Sequence, residues 1–264
     1  MSCYKARTSL KCSLFRLAGL VVMSAATATL ACAQTPIPSS PPNATLVSTP
    51  RALTSAQIVE EMIRQNQARA EGLKHYESVR TYQVEYKGYT ARIAAKMVVE
   101  AAYDANHGKT FRVVSKSGNG LLIDKVLKRL IDSEKDAEQN KGATALTPAN
   151  YNFKLTGMEN VEGRPAYVLE VEPLVDNKYL YRGKIWVDAA EFAVAKIDAE
   201  PAKNPSFWIS STAINHQYVR TDGFWLPAQN RSETKVRVGG TAVLTIDYGK
   251  YQLTPENPVA GGGS

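Results

Sequence analysis

The strongest constraint on this chain is a two-residue period that runs through most of its length and is interrupted once. Tyr82, Val84 and Tyr86 alternate with Gln83, Glu85 and Lys87. Ile93, Ala95, Met97, Val99, Ala101 and Tyr103 share a face opposite Lys96 and Glu100. Beyond His107-Gly108, Phe111, Val113 and Ser115 alternate with Arg112, Val114 and Lys116. Alternation of this kind marks strands with one buried face. Further strands are expected at 152–160, 164–173, 180–188, 192–200, 206–221, 224–237 and 241–252, with Gly239-Gly240 as a two-residue hairpin turn.

Two segments have a helical period instead. Thr54 and Gln57 have capping-box spacing, and Val59, Met62, Ile63, Ala70 and Leu73 fall along one face, so a helix is expected at about 55–73. In the interruption, Leu122, Ile123, Val126, Leu127, Leu130 and Ile131 form an i, i+3, i+4 stripe opposite Asp124, Lys125, Lys128, Arg129 and Asp132. This predicts a second helix at about 120–139, entered through the turn Ser117-Gly118-Asn119-Gly120. About ten strands with short connections imply antiparallel pairing, and two helices are too few to cover both faces. The fold class is therefore α+β, mainly β. So many antiparallel strands make one large curved sheet, a sandwich or a barrel, and a strongly curved sheet of about 10–11 strands with helices packed on its concave side is the economical answer.

Charge and cysteines concern the front of the chain. Of 264 residues, 32 are basic and 25 acidic, a net charge of +7. Lys5, Arg7, Lys11 and Arg16 precede an apolar stretch from Leu17 to about Leu30, followed by Ala31-Cys32-Ala33. That order predicts a secretory signal peptide over 1–33, because the apolar run is shorter than the ~20 residues a membrane span needs. Cleavage leaves 28 basic residues against 25 acidic ones and removes Cys3, Cys12 and Cys32, all the cysteines present. Lipid anchoring at Cys32 is the lesser alternative, since Thr29 stands where a lipoprotein box has a large aliphatic residue. The domain plan is a Pro/Ser/Thr-rich leader at 34–53, a β-rich domain at 54–253 and a disordered tail at 254–264. A nearly balanced mature charge with no basic stripe disfavours nucleic acid.

No pattern points to a reaction centre. His75, His107 and His216 are far apart in sequence, and no nucleophile elbow, P-loop or dinucleotide fingerprint occurs. No catalytic residue, metal site or cofactor is assigned, although a hydrolase-like enzyme stays open as a minor alternative. The informative residues are apolar and aromatic. A cavity between sheet and helices is expected to be lined by Tyr82, Val84, Tyr86, Met97, Val99, Phe111, Leu122, Val126 and Leu130, with Trp186, Trp208 and Trp225 from the C-terminal strands.

The segment Gly183–Asp198 (GKIWVDAAEFAVAKID), the corner Gly223-Phe224-Trp225-Leu226-Pro227 and the strand Thr245-Ile246-Asp247-Tyr248-Gly249, with the two helices, carry a family likeness. Over most of 54–252 the chain resembles the outer-membrane lipoprotein-sorting family, the LolA/LolB-like superfamily related to the N-terminal domain of RseB-type stress regulators. The resemblance implies a half-open β-barrel closed by helices, whose apolar interior shelters lipoprotein acyl chains or another lipid in a periplasmic carrier, and a monomer is expected. It also implies an inner-membrane export complex and an outer-membrane acceptor as partners. An envelope stress sensor or interaction module on the same fold is the alternative. No acyl-contact residue is carried over from the family, and its lid-closing arginine has no assigned position in this chain.

Overall fold

The computed structural model describes residues 53–139, 145–176, 179–204, 209–237 and 239–254. The chain divides into two units, Met1–Thr49 and Pro50–Ser264, and the second holds the whole of the fold that follows. The expected signal peptide, nearly all of the leader and tail, and Trp208 lie outside the described residues.

The first element is α1 (Ser55–Gly72). Its start is set by a capping box: the Thr54 hydroxyl accepts from the Gln57 N–H, and the Gln57 side chain accepts from the Thr54 N–H. Ile58, Val59 and Met62 bury one face of the helix. At about 1.5–3 kcal/mol for each buried side chain, that face holds the helix to the sheet more strongly than its caps do.

Three long strands follow, β1 (His75–Lys87), β2 (Arg92–Asp104) and β3 (Gly108–Gly118). The strand β1 begins seven residues before Tyr82, so His75 opens a strand and does not end the helix. Alternation in β3 is broken by a bulge: Val99 pairs with Val113, Val98 with Ser115 and Met97 with Lys116. The extra residue shifts Lys116 to the face that Phe111 occupies, against the sequence expectation for that strand.

The interrupting helix comes in three parts. These are α2 (Gly120–Leu122), a π-helical turn (Ile123–Leu127) and α3 (Lys128–Gln139). Asn119 caps the start, its Oδ1 accepting from the N–H of Leu121 and Leu122. Gly118 sits at φ +93°, where a Cβ would lie 2.4 Å from the Ala94 carbonyl oxygen, so only glycine fits this entry.

The remaining strands are β4 (Tyr151–Val161), β5 (Arg164–Pro173), β6 (Tyr181–Asp188), β7 (Val194–Pro201), β8 (Ile209–Thr221), β9 (Phe224–Val236), β10 (Thr241–Tyr248) and β11 (Gln252–Leu253). Gly239 and Gly240 both have positive φ, in a connection of four residues between β9 and β10, longer than the two-residue turn expected. The sheet order is β3-β2-β1-β10-β9-β8-β7-β6-β5-β4, antiparallel throughout, with β11 added to β1. The sheet curls strongly but stays open, with β3 and β4 as its free edges.

One row of paired residues crosses the inner face: Met97, Tyr82, Ile246, Asn230, His216, Ile197, Ile185, Leu169 and Leu155. Paired residues in antiparallel strands share a face, so these nine point to the same side. The row is apolar at both ends and polar at Asn230 and His216. Ile197, Ile185 and Leu169 pack with Ile58, Val59 and Met62 of α1. Tyr82, Met97 and Ile246 pack with Leu127 and Ile131 of the second helical segment. Each helical segment thus covers one half of the concave face.

Candidate functional site

The half under the second helical segment is built from the inward positions of β1, namely Tyr76, Ser78, Arg80, Tyr82 and Val84. Tyr82 faces Met97 and Ile246, Val84 faces Ala95 and Leu244, and Arg80 faces Val99 and Tyr248. This floor is apolar except at Arg80 and Ser78. Leu127 and Ile131 close over it, with Leu122, Ile123, Val126 and Leu130 packed around them. Tyr82, Met97, Val99 and Leu127 are completely buried.

Arg80 is 2% exposed, and its guanidinium lies 4.9 Å from the Tyr248 ring and 5.5 Å from that of Phe111. Its Nη1 donates to Glu134 Oε2 at 2.7 Å, and the Tyr82 hydroxyl donates to Glu134 Oε1 at 2.7 Å. One carboxylate from α3 is therefore clasped by two donors of β1. Burial disfavours the charged guanidinium, but Glu134 and the surrounding tyrosines outweigh it and hold the Arg80 pKa above the usual arginine value. Burial, then the nearby Glu134 charge, pushes the Tyr82 hydroxyl well above the usual phenol range. At neutral pH the arginine is therefore charged and the phenol neutral.

Not all the residues expected at the cavity meet here. Tyr82, Val84, Met97 and Val99 form the floor, and Phe111, Leu122, Val126 and Leu130 pack around it. Tyr86 lies at the far end of β1, where its hydroxyl donates to the Gly239 carbonyl at 2.9 Å. Trp186 stands on the other face of the sheet, one position along from Ile185, packed with Ala166 and Val168. Its indole N–H donates to Glu159 at 2.8 Å, and Lys196 sits 4.4 Å from its ring. Period two places Ile185 and Trp186 on opposite faces, so Trp186 does not face the helices.

Trp225 belongs to the half under α1. There a cleft of about 430 Å³ is lined by Arg69 and Ala70 of α1, by Leu73 just beyond it and by Tyr181, Ile197, Tyr218, Phe224, Trp225 and Leu226, among others. That volume falls within the ~300–1,000 Å³ usual for small-molecule pockets. Burial pushes the Tyr218 hydroxyl up to about 12. The cleft is closed at one end by an ion network. Arg164 binds Asp188 through two nitrogens at 2.6 and 3.0 Å, Arg220 reaches Glu191 at 2.6 Å, and the Trp225 indole N–H donates to Glu191 at 2.9 Å. Arg69 ties α1 into it by donating to the Glu191 carbonyl at 2.8 Å. Asp188 is buried; burial alone raises its pKa, but the Arg164 guanidinium and the N–H groups of Glu191 and Ala190 hold it below the usual carboxylate range.

The histidines do not converge. His75 opens β1, whereas His216 lies three strands away in β8, in the row that meets β1 at Tyr82, seven residues further along. His107 is in the β2–β3 turn beside Asp104. Burial lowers the His216 pKa, partly offset by a hydrogen bond with Asn230. Among the described residues no three His, Cys, Asp or Glu side chains are grouped to hold a metal ion. No described helix is long and apolar enough to cross a membrane.

Sequence reasoning missed Arg80, Glu134 and Ser78. The available signal was an interrupted face: reading β1 back from Val84 and Tyr82 gives Arg80 and Ser78 at positions that alternation assigns to the core.

No family model and no curated protein matches the chain. Solved structures do. A LolA superfamily protein from Nitrosomonas europaea matches at 12% identity and a TM-score of 0.32, over 78% of this chain and 96% of that one. A DUF1329 family protein from Desulfovibrio piger matches at 15% and 0.38, over 80% and 96%. The lipoprotein LppX of Mycobacterium tuberculosis matches at 11% and 0.27, over 77% and 99%. The superfamily that the sequence resembles is thus among the solved structures it is similar to. At such identities, and with these TM-scores below 0.5, the likeness carries nothing about ligand or activity.

Proposed function

We propose that this protein is a periplasmic carrier that shelters the acyl chains of a lipid or lipoprotein between its curved sheet and the helical segment 120–139, without covalent chemistry. The reading rests chiefly on one observation. A continuous apolar floor, Tyr82, Val84, Met97, Val99 and Ile246, is covered by one helical segment that is tied to it by the clasped Glu134 carboxylate. Each methylene taken from water contributes about 0.8 kcal/mol, so an acyl chain gains from the same floor that the helix now occupies. Because helix and ligand compete for that surface, binding opens the helix and closing it favours release. A carrier needs this reversibility, since a ligand held as tightly as the apolar area allows is not handed on.

The closed packing also supports a second reading. Tyr82, Met97, Val99 and Leu127 leave no space above the floor, which suits a module that binds a protein partner on its surface. Mass spectrometry of gently purified protein separates the two readings. Co-purifying lipid, and uptake of a fatty-acyl probe after delipidation, are expected of the carrier. Protein that carries no lipid and takes up no probe belongs to the interaction module.

A further inference from the structure

The carrier reading says what chain is sheltered, and the polar end of the floor narrows what head that chain bears. Glu134 places both its oxygens against β1, on Arg80 Nη1 and the Tyr82 hydroxyl, each at 2.7 Å. The floor has more polar capacity than Glu134 uses. Arg80 Nη2 donates to the Tyr76 hydroxyl at 3.3 Å, while Arg80 Nε and Ser78 Oγ are buried with no hydrogen-bond partner among the described residues. Two unpartnered buried donors are costly, at about 1–3 kcal/mol each, and a polar group entering from above would relieve that cost. Ser78 and Arg80 share the inward face of β1 with Tyr82, and the spare Nε belongs to the same guanidinium that clasps Glu134.

We infer that the Arg80–Tyr82–Ser78 cradle is a binding site for the carboxylate head of a long-chain fatty acid, and that Glu134 is the resident surrogate which the ligand's carboxylate displaces. The inference rests on the carrier reading and adds a head-group class to it. With the chain lying along Tyr82, Met97 and Val99, the head falls where the Glu134 carboxylate now sits. Arrival of the ligand removes the tie that Glu134 makes from α3, so the charge of the head group and the release of the helix are one event. An ester offers a carbonyl acceptor but no charge, and charge-assisted hydrogen bonds are roughly twice as strong as neutral ones.

The test uses the delipidated full chain at about pH 8, where a fatty-acid head is ionised. Binding of cis-parinaric acid and of its methyl ester is measured by fluorescence. The wild type is expected to prefer the acid by about tenfold. Arg80→Met is expected to bring the two to parity while retaining uptake of the ester. Glu134→Gln, on the partly exposed helix, is expected to tighten binding of the acid several-fold, and it decides the matter if Arg80→Met does not fold. Equal binding of acid and ester by the wild type, or an acid affinity unchanged in Glu134→Gln, overturns the carboxylate site and leaves the carrier reading standing. Uptake of neither probe overturns both.

Discussion

Buried charged residues decide most of what this molecule can do. Asp188 ends β6, and its carboxylate accepts from Arg164 and from the N–H groups of Ala190 and Glu191. Its folded pKa is depressed, so the unfolded chain binds the proton more readily. The stability it contributes is therefore complete above the ordinary carboxylate pKa and is lost as pH falls through the lower, folded value. Asp188→Asn should cost about 2 kcal/mol at neutral pH and flatten the acid limb of a urea-unfolding profile below about pH 4. An unchanged acid limb would show that the network around Arg164 contributes nothing in solution. The expected strands at 180–188 and 192–200 place Asp188 at the hairpin between them, and that is where β6 ends. Its partner was not legible, because Arg164 comes to it from β5, and pairing at that range leaves no local trace. Arg80 was the harder case. Alternation assigns its position to the core, and only a partner from another element makes a buried guanidinium tolerable. The sequence does not announce that Glu134 is that partner.

At the scale of elements, local chemistry was enough where it acts alone. The Thr54–Gln57 capping box and the Leu122–Ile131 stripe specify α1 and the second helical segment with no help from the rest of the chain. The π-helical turn at Ile123–Leu127 and the β3 bulge were not legible, since both arise from fitting one element to another. The entry to the helical segment gives a sharp prediction. Gly118→Ala forces a Cβ against the Ala94 carbonyl at positive φ and should destabilise the protein by about 1–3 kcal/mol. Asn119→Ala removes only the cap and should cost about 1 kcal/mol. Calorimetry should rank the two in that order, and the reverse ranking would mean that the tight turn yields easily. Because α2 and α3 are held by one apolar stripe and one clasped carboxylate, their amides should exchange with solvent through a smaller opening than those of β1 and β2. Hydrogen exchange that shows equal protection in all of them would argue against a movable cover.

The second unit is an open antiparallel half-barrel whose concave face is apolar, then polar, then apolar, with one helical segment over each apolar half. The strand count and the curved, open form followed from short connections and a shortage of helices. The division of the concave face did not follow, because His216 and Asn230 acquire their common position only through the β8–β9 register. That division explains why the expected lining residues separate. Met97 and Tyr82 lie under one helical segment, Trp225 lines the cleft under the other, and Trp186 is on the outer face. The central claim is that an acyl chain takes the floor now covered by residues 120–139. A fatty acid with a photoactivatable group at mid-chain, bound to delipidated protein and irradiated, tests it most directly. Crosslinks in the β1 and β2 peptides bearing Tyr82–Val84 and Met97–Val99, reduced at least tenfold by Met97→Asp in a protein that keeps its circular dichroism, are the predicted result. Crosslinks confined to the outer-face surface around Val168 and Trp186, or equally abundant in Met97→Asp, would contradict it.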